Sequence, residues 1–302
     1  MNALFLVGPT SVGKTEIALR VASRCNAGII GADAFQVYQG LDLLTAKPSP
    51  AERSRIPHHL VDVVPLSQSF NVAQYLDAAT RCAKEIASRG KIPFVVGGTG
   101  LYIRALTRGL SDLPEADAAI RAELEASSLE DLQARYTSLD PDGATRIDLK
   151  NKRRLIRAIE VCLLTGKPFS SFRDEWKTAP ATPVGFFLTR DRDDLYERIN
   201  RRVETMFNNG AVLEEVRRAQ DIGATAGQVI GLREIQAHLR GEMSERQCIE
   251  RIQQATRRYA KRQLTWFKSE AALFREVNLT SRPDPESIVE LVSRYGRDAG
   301  GS

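Results

Sequence analysis

The octapeptide Gly8-Pro9-Thr10-Ser11-Val12-Gly13-Lys14-Thr15 constrains what this chain can fold into more than any other stretch. It fits the pattern G-x-x-x-x-G-K-[ST] at every fixed position. Ala3 to Val7 before it is a short apolar run of the kind that makes a buried parallel strand. Glu16 to Arg24 after it carries Ile17, Ala18 and Val21 at helical spacing. A strand, a glycine loop and a helix start in that order turn a row of backbone N–H groups toward an anion. The loop therefore reads as a phosphate cradle in an α/β fold with a P-loop NTPase-like parallel sheet. The Lys14 amine would reach the outer phosphates and the Thr15 hydroxyl would hold a Mg²⁺. The loop does not say which phosphate compound it takes, or whether that compound is ATP.

The remaining core strands are read from short apolar runs that end in small or polar residues. Gly28 to Asp33 is one, and it ends at an acid. Ligands of parallel sheets gather at the carboxyl ends of strands, so Asp33 is placed to face the content of the loop, or else it caps the next turn. Asn71 to Arg89 has helical spacing and stops at Gly90. Ile92 to Val96 is a further strand, opening onto Gly97-Gly98-Thr99 where a loop-type ATPase usually carries a Mg²⁺-holding Asp. Two glycines there permit close approach, and Thr99 offers a hydroxyl. That ending weakens an ATP-hydrolysis reading.

From Glu115 to Lys177 the chain turns helical and charged without a convincing strand. The organisation expected is a first core segment at 1–113, a helical insert at 114–182 and a return to the core at 183–302. Helical stretches are expected at Ile120 to Ala126, Leu129 to Tyr136, Asn151 to Leu164, Asp194 to Asn208, Ala211 to Gln220 and Glu245 to Lys268. Gly296 onward is expected to be disordered. The formal charge of +5 permits a nucleic-acid partner without demanding one. Its placement is more telling: Arg251, Arg257, Arg258, Lys261, Arg262 and Lys268 lie on one helical stretch with Tyr259, Trp266 and Phe267 interleaved. Such a run is either a solvated face or a surface for RNA backbone and bases. No apolar run approaches the ~20 residues of a membrane span. Met1 to Ala3 leads straight into the first strand, leaving no room for a signal peptide. Cys25, Cys82, Cys162 and Cys248 are far apart, which suits free thiols in a reducing, cytoplasmic setting and no zinc site.

Taken together, the ordered motifs resemble the tRNA dimethylallyltransferase (tRNA isopentenyltransferase) family of bacterial type, from about Leu4 to Phe267. They are G-P-T-S-V-G-K-T, A-D-A-F-Q-V-Y (Ala32 to Tyr38), T-A-K-P (Thr45 to Pro48), P-H-H-L (Pro57 to Leu60), G-G-T-G-L-Y (Gly97 to Tyr102), N-K-R-R-L-I-R-A-I-E-V (Asn151 to Val161), T-G-K-P (Thr165 to Pro168), I-G-L-R-E (Ile230 to Glu234) and K-R-Q-L-T-W-F (Lys261 to Phe267). Two positions depart from the family pattern: Ala34 stands where Ser is usual, and Leu232 where Tyr is frequent. The resemblance implies transfer of a dimethylallyl group from dimethylallyl diphosphate to the exocyclic amine of the adenosine just 3′ of a tRNA anticodon. It implies Asp33 as the base, Thr99 as a placing group for the amine or donor, and Lys14 and Mg²⁺ as counter-charges on the leaving pyrophosphate. Arg202 would be a second clamp on that pyrophosphate. The tRNA anticodon stem-loop would be met by Ala34, Phe35, Gln36, Arg121, Arg153, Arg154, Arg157, Arg233, Lys261, Arg262, Gln263 and Trp266. A monomer is expected. Rival readings are a small-molecule kinase, an RNA-binding NTPase switch, and prenyl transfer to free AMP.

Overall fold

The computed structural model describes residues 3–111, 113–175, 185–282 and 284–300. β1 (Leu4–Val7) leads through the glycine loop into α1 (Lys14–Arg24) and on to β2 (Ala27–Ala32). α2 (Pro50–Arg55), β3 (His58–His59), α3 (Val72–Ser88), β4 (Ile92–Gly97) and α4 (Gly100–Arg108) follow. Then come α5 (Ala118–Ala126), α6 (Leu129–Leu139), α7 (Pro141–Ala144) and α8 (Lys152–Thr165). β5 (Gly185–Thr189), α9 (Arg192–Phe207), α10 (Ala211–Arg218), α11 (Leu232–Leu239), α12 (Glu245–Ser269), β6 (Phe274–Asn278) and α13 (Pro285–Gly300) complete the order.

The six strands form one sheet in the order β3-β2-β4-β1-β5-β6, every pair parallel. A parallel sheet covered on both faces needs apolar residues at successive positions, and β1 is buried at all four. Its side chains still alternate between faces. Leu4 and Leu6 enter a core with Val21, Phe186, Ile199 and Val292. Phe5 and Val7 enter the opposite core with Tyr75, Ile103 and Phe267. β1 lies between β4 and β5, so the glycine loop leaves the sheet centrally, beside the carboxyl end of β4. Helix starts are fixed locally. Asn71 with Gln74 and Ser244 with Gln247 form reciprocal capping boxes ahead of α3 and α12.

The chain divides into two compact units, Met1–Thr107 with Ala179–Ser302, and Arg108–Thr178. The first division thus falls a few residues before the expected 113/114 boundary, and the expected 182/183 boundary lies outside the described residues. The second unit has its own core of Leu124, Leu132, Tyr136, Leu155 and Ile159. Its Asp140 is 1% exposed and accepts hydrogen bonds from Gly143 N, Ser170 N and the Tyr136 and Ser170 hydroxyls. Among its described residues there is no strand.

Two features at the end of the chain differ from the sequence reading. β6 was not expected; its buried positions are only Phe274 and Val277, a weak alternation at a sheet edge. The expectation of disorder from Gly296 onward is corrected, since α13 continues to Gly300. Gly296 reads as a breaker in isolation. In the fold, a Cβ there would stand 3.1 Å from Leu4 Cδ2, so the glycine lets α13 pack closely on β1 and α1. Among the described residues no helix is long and apolar enough to cross a membrane.

Candidate functional site

Three strand ends meet at the glycine loop. Gly8 N donates to Gly97 O at 3.3 Å, and Gly98 N and Thr99 N both donate to Ala32 O, at 3.2 and 3.0 Å. The Thr99 hydroxyl accepts from Ala34 N at 2.9 Å, which ties the segment after β4 to the segment after β2. The approach is too close for side chains. A Cβ on Gly8 would lie 2.6 Å from Leu188 O, and one on Gly98 would lie 2.7 Å from Gly8 O. Gly13, at φ 112, enters α1 in the left-handed region that glycine adopts without strain.

Gln263 of α12 sits beneath this junction. It is 5% exposed; its Oε1 accepts from Thr10 N at 2.9 Å and its Nε2 donates to Gly98 O at 2.8 Å. Expected among the RNA contacts, the side chain is a buried brace between the two glycine segments. Arginines from around α9 hold the loop from outside. Arg190 Nε donates to Val12 O at 2.9 Å, Arg198 Nε to Ser11 O at 3.0 Å, and Arg202 to the Thr10 hydroxyl at 3.0 Å. The Lys14 amine is folded onto the loop, donating to Gly8 O at 2.9 Å and Pro9 O at 2.7 Å. Burial lowers its pKa to about 8, with Asp33 opposing the shift and Arg202 adding to it. Thr15 is exposed on the first turn of α1.

Asp33 follows β2. Its Oδ1 accepts from Phe35 N at 2.9 Å and Gln36 N at 3.3 Å, an Asx turn that fixes the carboxylate. Asp33, Thr10 and Arg202 border a cavity of about 50 Å³ whose remaining wall is mainly apolar, including Leu44, Ile199, Val203 and Met206. Phe35 and Tyr259 also line it, their ring centroids 6.3 Å apart. Gln36 turns its amide nitrogen away, donating to Thr45 O and Ala46 O at 3.0 and 2.9 Å. With both N–H groups so placed, only its oxygen is left as an acceptor for an incoming group.

The residues expected to meet RNA are in several kinds of surroundings. Lys261 and Arg262 are exposed on α12, in line with exposed Arg251, Arg258 and Lys268. Arg257, on the same helix, is engaged with Asn200 and lies over the Tyr196 ring. Trp266 packs flat against Gly100, where a Cβ would be 2.4 Å from the ring. Arg233 is exposed on α11, while neighbouring Leu232 is 1% exposed in a core, so this departure from the family pattern is a packing residue. In the second unit, Arg153 and Arg154 are exposed. Arg121 and Arg157 instead converge on the fully buried Glu160, at 2.9 and 2.5 Å. Burial alone would raise the Glu160 pKa; the two arginines and the Asp117 amide outweigh it and hold it below the usual carboxylate range.

Arg190, Arg198, Tyr259 and the apolar cavity wall were not among the expected site residues. Arg198 and Arg202 carried a signal, being four apart on one helix face. The wall was missed because only part of it, Ile199, Val203 and Met206, lies on one helix, and the rest comes from segments far apart in sequence.

The sequence model of the IPP transferase family matches residues 36–270. A tRNA dimethylallyltransferase of Akkermansia muciniphila is 43% identical over 289 residues, 96% of this chain and 97% of that protein. One from Geobacter sulfurreducens is 44% identical, covering 89% of this chain and 90% of its own length. Among solved structures, a full-length tRNA isopentenylpyrophosphate transferase from Bacillus halodurans superposes with a TM-score of 0.70 at 35% identity, covering 100% of this chain and 97% of that one. A eukaryotic dimethylallyltransferase solved acting on tRNA superposes with a TM-score of 0.79 at 27% identity, over 93% of this chain and 75% of that one. Relatives this similar over nearly their full length place the chain itself: it belongs to the IPP transferase family.

Proposed function

We propose that this protein transfers a dimethylallyl group from dimethylallyl diphosphate to the exocyclic amine of the adenosine 3′-adjacent to a tRNA anticodon, releasing pyrophosphate. One observation carries the reading. A carboxylate (Asp33), an anion-binding edge (Thr10, Arg202) and an apolar wall share a single cavity. Those are the three surroundings a prenyl diphosphate and an attacking amine require. The apolar wall suits the hydrocarbon of a prenyl donor.

In the reaction the adenine amine attacks the allylic carbon, the bond from that carbon to the diphosphate oxygen breaks, and pyrophosphate leaves with the bonding electrons. The proton lost by the amine goes to Asp33. The Asx turn holds the Asp33 carboxylate toward the cavity, with Thr99 placing the amine or donor. Lys14, Arg202 and the loop amides stabilise the charge growing on pyrophosphate. Thr15 would hold Mg²⁺. A lone hydroxyl beside a phosphate loop suits an ion that keeps its waters and takes phosphate oxygens, and among the described residues no group of three His, Cys, Asp or Glu could hold a metal. When bound, that ion supplies further counter-charge to the leaving group.

The target adenosine must leave the anticodon-loop stack to reach Asp33. The exposed cations of α12, with Arg233 and with Arg153 and Arg154 of the second unit, supply the backbone contacts. We read the enzyme as a monomer that meets its tRNA substrate in the cytoplasm. Incubating the protein with Mg²⁺, dimethylallyl diphosphate and unmodified tRNA, then weighing the RNA, tests the reading. A gain of one prenyl unit at that adenosine is expected. ATP turnover or modification of free AMP, with unchanged tRNA, would overturn it.

A further inference from the structure

The apolar wall of the same cavity bounds the space open to a donor's hydrocarbon. Resting on the reading above, we infer that Met206 sets the length of the prenyl chain this enzyme transfers. Along α9, Arg198 bonds Ser11 and Arg202 bonds Thr10, so the helix runs past the anion-binding loop in a defined direction. Ile199, Arg202, Val203 and Met206 line the cavity at helical spacing on one face. Met206 is the last of them, one turn and about 6 Å beyond Arg202. A donor with its diphosphate at Thr10 and Arg202 and its allylic carbon beside Asp33 extends its hydrocarbon toward Met206.

Beyond that point the fold is packed. Met206 packs against a cluster in which Phe207, Val212, Leu232 and Ile235 are buried. The space there is small, about 50 Å³, so a five-carbon dimethylallyl group asks less of the wall than a ten-carbon geranyl group. An unbranched thioether at the end of the cavity flexes around a small ligand, yet it fills the space a second isoprene unit would need.

The test uses the whole protein with unmodified tRNA and two donors, dimethylallyl diphosphate and geranyl diphosphate, in wild type, Met206→Ala and Met206→Phe. Wild type is expected to transfer the five-carbon group and to disfavour the ten-carbon donor by more than ~100-fold in kcat/KM. Met206→Ala should still transfer the five-carbon group, with a raised KM for that donor, and narrow the ratio at least ~10-fold, with the longer group appearing on the adenosine by mass. Met206→Phe should raise the KM for dimethylallyl diphosphate and leave the KM for tRNA unchanged. That outcome keeps the test alive should the alanine variant collapse its pocket. Geranyl transfer by wild type, or a Met206→Ala enzyme active with the short donor but unchanged in its ratio, would overturn the inference. So would a phenylalanine variant with an unaltered donor KM. Wild type inactive with both donors would instead overturn the proposed function.

Discussion

In the proposed reaction Asp33 is the base and Lys14 a counter-charge, and each makes a prediction at its own position. Asp33→Asn keeps the shape and the Asx turn but cannot take a proton. Transfer should fall by ~10²–10⁴ while the tRNA dissociation constant stays within a few-fold, checked by single-turnover assay and filter binding. Retained turnover would remove Asp33 as the base. Lys14 has a pKa lowered to about 8 by burial, so in the free protein its amine is about half-charged at pH 8. A bound diphosphate favours the charged form. At pH 8 the wild type should therefore take up roughly half a proton more than Lys14→Ala on binding pyrophosphate, a difference that nearly vanishes at pH 6.5, where the amine is already charged. Calorimetry in buffers of different ionisation heat measures this. The placement of both residues was legible in the sequence, because a motif and a strand end fix them locally. Gln263 was not. Its segment reads as basic and aromatic, and only the packing of α12 beneath the loop turns that amide inward to Thr10 and Gly98.

At the scale of elements, the segment from Leu41 to Lys47 shapes one wall of the cavity, and it has no regular structure of its own. Leu44 and Thr45 line the cavity. The segment is held by side chains: Gln36 donates to two of its carbonyls, and the Lys47 amine, fully buried, joins Asp42 to Asp62. Glu215 of α10 accepts from Leu43 N at 2.8 Å and Leu44 N at 2.9 Å. Burial raises the Glu215 pKa against the pull of those amides. Glu215→Ala should lower stability by about 1–2 kcal/mol in urea unfolding. It should also raise the KM for the donor more than the KM for tRNA, since the wall it releases faces the donor. Equal effects on both would make Glu215 a general packing residue. Sequence periodicity found the long helices because each has a buried stripe. It could not find this wall, whose conformation depends on partners about 170 residues away.

For the whole molecule, the sheet order explains why widely separated motifs form one site: β1, β4 and β2 end side by side, so their following segments meet. The α/β class was legible from the loop and the apolar runs. β6 and the last turns of α13 were not, being an edge strand with a weak pattern and a helix held by contact with β1. The exposed basic stripe is likewise a property of the fold. On α12, Arg258 and Lys261 are exposed and Arg257 is tied to Asn200. Replacing Arg258 and Lys261 with Ala should flatten the dependence of log affinity for tRNA on log salt by roughly one to two units. Arg257→Ala should change it by much less, and equal slopes for both variants would place the stripe off the RNA path. The most direct measurement follows both products of one reaction: pyrophosphate released and prenyl units gained by unmodified tRNA, in the presence of Mg²⁺ and dimethylallyl diphosphate. The account predicts equal amounts of each, with all of the gain on the adenosine beside the anticodon. Pyrophosphate without prenylated tRNA, or prenyl groups at another base, would contradict it.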